Sequence, residues 1–142
     1  MRIALANLPY PESPEAAVRQ AVEAIESSGA ELICFPEGYL PGYRGLGHAP
    51  PAPDAAFLEE AWRRVAQAAK ASRTGVILGT ERLAPQGLLL TALVIGPDGE
   101  RLGFQDKVQL DPSEEGTYVA GEGRRVFQIG ELTFGVAICH EG

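Results

Sequence analysis

Apolar residues follow two rhythms along the chain. In the first half, short unbroken apolar runs alternate with longer stretches at helical spacing. Arg2–Leu8 reads as a buried strand. Ser13-Pro14-Glu15 then forms a helix start: Ser13 can cap, Pro14 suits the first helical position, and Glu15 suits the positive end of the dipole. Ala17, Val18, Ala21, Val22 and Ile25 recur at helical spacing, and Gly29 ends the stretch. Leu32–Phe35 is a second apolar run, so strand, helix and strand predict a βαβ crossover with parallel pairing. A long Pro- and Gly-rich loop, Pro36–Pro53, leads to Asp54 as the cap of a second helix. Phe57, Leu58, Ala61, Trp62, Val65, Ala66 and Ala69 give that helix its apolar stripe, and Val76–Leu78 follows as a strand.

The second half is a meander. Leu88–Ile95, the turn Gly96–Gly99 and the return Glu100–Gln105 predict a hairpin. A polar loop, Asp106–Gly123, precedes a further hairpin of Arg125–Ile129 and Leu132–Ile138 around Gly130-Glu131. Each helix is apolar on one face only and must lie on a sheet. The expected fold is therefore a layered α/β (α+β) arrangement.

Composition narrows the function classes. With 142 residues and 45% hydrophobic content, the chain can bury a core. Its 12 basic and 19 acidic residues give a net charge of −7, which argues against nucleic acid as a partner. No apolar run approaches the ~20 residues of a membrane span. The apolar stretch at Met1–Ala6 is too short for a signal peptide, and Cys34 and Cys139 make no disulfide framework. The expected location is the cytoplasm. Cys34 reads as core and Trp62 as core or interface, while His48 reads as a surface residue. Gly42–Gly47 lacks the setting of a phosphate loop. Cys139-His140-Glu141 lacks metal-ligand spacing, so no metal is expected.

Three segments carry chemistry. Phe35-Pro36-Glu37-Gly38 puts a carboxylate just past a strand end, Gln105-Asp106-Lys107-Val108 puts a lysine at another, and Gly135–Glu141 puts the thiol of Cys139 at a third. A thiol must lose its proton to attack, a carboxylate can take that proton, and an ammonium can stabilise the oxyanion that follows. His140 neighbours the thiol, but adjacent residues of a strand point to opposite faces, which places its ring poorly as a base.

In this order, Phe-Pro-Glu37, Asp-Lys107-Val-Gln-Leu and Val-Ala-Ile-Cys139-His-Glu resemble the nitrilase superfamily of carbon–nitrogen hydrolases, over essentially the whole chain. The resemblance implies a Glu37-Lys107-Cys139 triad and a second glutamate after the lysine. Glu115 fits that position best, with Glu114 a close rival. It also implies an aromatic and a glycine ahead of the next strand, where Tyr118 and Gly121 stand. Tyr43, close after Glu37, is taken with Tyr118 as a substrate contact; Tyr39 and Arg44 are further candidates for the pocket mouth.

The implied mechanism is attack by Cys139, oxyanion support from Lys107 and the His140 backbone N–H, and hydrolysis of a thioester, with no cofactor. The implied substrate is a small amide, carbamoyl compound or nitrile. His140 stands where true nitrilases usually carry Trp, which favours the amide. The implied fold is an α-β-β-α sandwich of longer chains. Residues 1–142 are thus expected to form a partial domain whose C-terminal half is absent, with an open apolar face that drives homo-oligomer formation. The alternatives are a truncated, non-catalytic module that only associates with partner chains, and a true nitrilase.

Overall fold

A computed structural model describes residues 1–142. β1 (Ile3–Leu5), α1 (Pro14–Ser28), β2 (Leu32–Cys34), α2 (Ala55–Ser72) and β3 (Gly75–Ala84) alternate as the apolar pattern predicts. β4 (Gly87–Ile95) and β5 (Arg101–Asp106) extend the sheet, and β6 (Val126–Ile129) and β7 (Leu132–Gly135) form a separate hairpin. The large sheet runs β1-β2-β3-β4-β5. Its first three strands are parallel and its last three antiparallel, β3 belonging to both groups.

Local signals fix both helices. Ser13 Oγ accepts the Ala16 N–H at 3.0 Å, Pro14 opens α1, and Gly29 closes it in the left-handed region. Asp54 Oδ1 accepts the Ala56 and Phe57 N–H groups at 2.9 and 3.1 Å and so starts α2. The two apolar stripes share one face of the sheet. Ile25 and Val18 of α1, and Val65 and Leu58 of α2, pack with Val76, Leu78, Leu93 and Ile95 in one core. Each such fully buried aliphatic stabilises the fold by about 1.5–3 kcal/mol relative to exposure. Trp62 joins this core and donates Nε1–H to Thr80 Oγ1 at 3.1 Å.

The opposite face is covered in part. Phe127 and Ile129 of the hairpin pack on Leu32 and Val94, with half-buried Cys34 at the margin of the cluster. Farther along this face Ile3 is 55% and Leu5 79% exposed, so the apolar surface of β1 stands open. No helix is long and apolar enough to cross a membrane.

Three strand boundaries differ from the sequence pattern. β1 ends at Leu5 rather than Leu8. β3 runs to Ala84, well past Leu78, and turns through Pro85-Gln86 into β4. Charged residues hide this extension: Glu81 is buried against Arg44, and Arg82 pairs with Asp106. β7 stops at Gly135, so Cys139 does not end a strand.

The extended β3 also steers the loop after β2. Leu40 N–H donates to Gly79 O at 3.1 Å, and Glu81 N–H to Leu40 O at 3.1 Å, so the loop comes back onto the strand. Between these points the Pro36-Glu37 backbone crosses directly over Gly79. A Cβ there would run into the Pro36 carbonyl and lie 2.9 Å from Glu37 Cα. Gly79→Ala should therefore push the Glu37 segment off the sheet and cost about 1–3 kcal/mol, read as a lower midpoint in chemical denaturation.

Candidate active site

Glu37, Lys107 and Cys139 come from three separate connections; Glu37 and Cys139 line one cleft, and Lys107 lies buried behind it, bonded to Glu37. Glu37 follows β2, where the crossing at Gly79 holds it. Lys107 directly follows β5, and its N–H donates to Leu90 O at 2.9 Å, continuing the ladder by one residue. Cys139 opens a one-turn 3₁₀ helix, Cys139–Glu141, and has φ 48°. A non-glycine residue in the left-handed region is strained, a feature concentrated at functional positions. That turn holds the thiol out of regular structure and leaves the His140 N–H with no protein acceptor.

Lys107 is the electrostatic centre. Its side chain is fully buried. Nζ donates to Glu37 Oε1 at 2.7 Å and to Glu114 Oε1 at 3.0 Å, with Glu114 Oε2 at 2.9 Å. Burial alone would push the ammonium pKa down; the Glu114 and Glu37 carboxylates outweigh it and hold it above the ordinary value. Glu114 is itself fixed by the Tyr43 hydroxyl, which donates to Oε1 at 2.9 Å, and by the Asp111 N–H, which donates to Oε2 at 2.9 Å. Burial, then the bond to Glu114 and the nearby negative charge, raise the Tyr43 phenol to about 12.

The Cys139 thiol lies above its ordinary value. Local desolvation is the largest cause, although the residue is exposed, followed by the nearby Glu37 charge, while Lys107 opposes them. These surroundings disfavour the thiolate of Cys139, and a carboxylate, Glu37, lines the same cleft. A cleft of about 580 Å³ opens in front of these groups. Glu37, Glu114 and Cys139 line its floor, and Tyr43, Leu46 and His48 are among its walls.

Four sequence expectations are corrected here. The second glutamate beside Lys107 is Glu114, not Glu115. The Asp111–Thr117 turn, closed by Glu114 N–H to Asp111 O and Thr117 N–H to Glu114 O, directs Glu114 inward and leaves Glu115 exposed. Tyr118 is 3% exposed and does not line the cleft. Its phenol is raised by burial first and then by Glu81, which places it with the Arg44–Glu81 ion pair beneath the loop. Arg44 likewise anchors that loop, through Glu81 and the Pro50 carbonyl. The His140 ring turns outward, with Nδ1 3.7 Å from Asp111 Oδ2. Its separation from the thiol comes from the 3₁₀ turn rather than from strand alternation. No group of three or more His, Cys, Asp and Glu side chains is placed to hold a metal ion.

The carbon-nitrogen hydrolase family model matches residues 2–142. The chain belongs to the carbon-nitrogen hydrolase family. The chain is 30% identical over 154 aligned positions to a glutamine-dependent NAD(+) synthetase of Thermotoga maritima, covering 99% of this chain and 26% of that protein. It is 26% identical over 136 positions to a cyanide hydratase of Gibberella baccata, covering 85% and 38%. Among solved structures, an amidase from Nesterenkonia sp. superposes with a TM-score of 0.81 at 25% identity, covering 99% of this chain and 56% of that one. The chain therefore spans 26 to 38% of the length of these curated relatives and just over half of the amidase.

Proposed function

We propose that the cleft hydrolyses non-peptide C–N bonds of small amides through a thioester on Cys139. The observation that carries this reading is the buried Lys107 ammonium, bound by Glu37 and Glu114, two carboxylates that line the cleft with Cys139. Glu37 takes the Sγ proton as sulfur attacks the carbonyl carbon. The carbonyl oxygen becomes an oxyanion, which the Lys107 ammonium and the His140 N–H stabilise. Glu37 returns the proton to the nitrogen, the C–N bond breaks, and the amine leaves with a thioester behind. Water, deprotonated by Glu37, attacks that thioester, releasing the acid and restoring the thiol. Glu114 keeps Lys107 charged and aimed throughout. No step calls for a metal or an organic cofactor.

An amide is favoured because the similar proteins include an amidase and a glutamine-dependent enzyme, and because His140 rather than Trp follows the cysteine. Similarity to a cyanide hydratase keeps nitriles as the second reading. The test is to incubate the protein with a panel of small amides, N-carbamoyl compounds and nitriles, follow ammonia, and take the mass of the acid-quenched protein. An acyl adduct on the Cys139 peptide, with ammonia release lost in Cys139→Ala, is the expected result. Ammonia release that persists in Cys139→Ala refutes the proposal, and activity on nitriles alone moves the reading to a nitrilase.

A further inference from the structure

Glu141 stands two residues beyond the proposed nucleophile, and its carboxylate joins two segments. Oε1 accepts the N–H of Val108 at 2.7 Å and of Gln109 at 3.2 Å, the two residues that follow Lys107. Oε2 accepts the N–H of Ile138 at 2.9 Å, the residue before Cys139, and lies 3.5 Å from Arg124 Nη1. The side chain is completely buried, whereas the Arg124 side chain is half exposed. Burial would push such a carboxyl up; the three backbone amides outweigh it and hold it below the ordinary carboxylate range. A plain cap would need only the bond to Ile138, which closes the 3₁₀ turn on itself. The bonds to Val108 and Gln109 cap nothing of their own element.

We propose that Glu141 is a positioning residue that ties the cysteine turn to the lysine segment and so sets the distance between Cys139 and the Glu37–Lys107 pair. The proposal rests on the thioester reading for its consequence, and on the three hydrogen bonds for its geometry. No other side chain accepts hydrogen bonds from the backbone of both segments. β7 ends at Gly135, so Val136–Cys139 would otherwise reach the cleft as a free strand end. Charge-assisted bonds to backbone N–H groups are stronger than neutral ones, and Glu141 accepts through both carboxylate oxygens, whereas a glutamine there would offer one accepting oxygen and an NH₂ donor.

Amide hydrogen exchange on the intact chain tests the tie directly. Glu141→Gln should lower protection at Val108, Gln109 and Ile138 by roughly tenfold or more, while β3 and β4 amides stay unchanged. Glu141→Asp keeps the charge but is one methylene shorter, and it should lose protection in at least one of the two segments. Protection retained in both segments in both variants overturns the proposal.

The consequence is read from the pH midpoint of Cys139 alkylation by iodoacetamide, resolved by peptide mass to keep Cys34 apart. Glu37→Gln should lower that midpoint in the native background and change it less than half as much beside Glu141→Gln. An equal change in both backgrounds also overturns the proposal. A native midpoint indifferent to Glu37→Gln counts against the thioester reading instead, and the exchange result still decides the tie.

Discussion

Lys107→Met should destabilise the protein by about 3–5 kcal/mol at neutral pH, the cost of leaving buried carboxylates without their cation. The methionine fills nearly the same volume, so the loss is electrostatic rather than a cavity. Glu114, with a side chain only 2% exposed, bears most of it; Glu37, at 17%, keeps some water. A second substitution separates this cause from a packing defect. Glu114→Gln in the same chain removes the carboxylate that Lys107→Met strands, and should restore much of the loss at neutral pH. Denaturant midpoints of the single and double variants at neutral pH check this; a double variant no more stable than Lys107→Met would assign the loss to packing.

The native chain should lose stability in alkali. The Lys107 ammonium and the Tyr43 phenol, raised to about 12, both hold their protons more tightly when folded. Their contribution to stability is whole below their unfolded values and is lost as pH rises through the folded ones.

Hydrophobic rhythm alone made the βαβ start, both helices and the meander legible. It failed where polar residues are buried by pairing with partners remote in sequence. Glu81 and Arg82 look like a solvated break after Leu78, yet Arg44 and Asp106 neutralise them and β3 continues. The same holds within the site. Adjacent glutamates at 114 and 115 differ by the direction of one tight turn, which no periodicity encodes. Tyr118 carries an aromatic ring at a suggestive position, but it is buried within the charge field of the Arg44–Glu81 pair and does not line the cleft. Segment order did identify Glu37, Lys107 and Cys139 as candidates, since each sits at the end of an apolar run. Two supporting positions left weaker signals. Gly79 falls just past the strand that the apolar pattern predicts, and its role emerges only with the Pro36 carbonyl lying on it. Glu141 reads as the last letter of a motif until its three backbone partners are counted.

Glu37→Gln should move two rates of the same thiol in opposite directions. Amide hydrolysis should fall by ~10²–10⁴, the usual worth of a positioned general base, because glutamine cannot take the Sγ proton or return it to the leaving amine. Alkylation of Cys139 near neutral pH should instead become faster. Local desolvation is the largest reason the thiol sits above its ordinary value, but the Glu37 charge adds to it, and Lys107 works against both. Removing the charge while keeping Lys107 lets the thiolate form at lower pH. Iodoacetamide needs only that thiolate, whereas turnover also needs a proton carrier. The substitution is mild for the fold, since the glutamine carbonyl can still accept from Lys107 Nζ and Glu114 still balances the ammonium. Steady-state ammonia release and site-resolved alkylation, measured across pH on one preparation, give both rates. If both fall together, Glu37 holds the geometry of the cleft and another group carries the proton. If hydrolysis falls while alkylation rises, Glu37 is the base, and the resting state of Cys139 is the thiol.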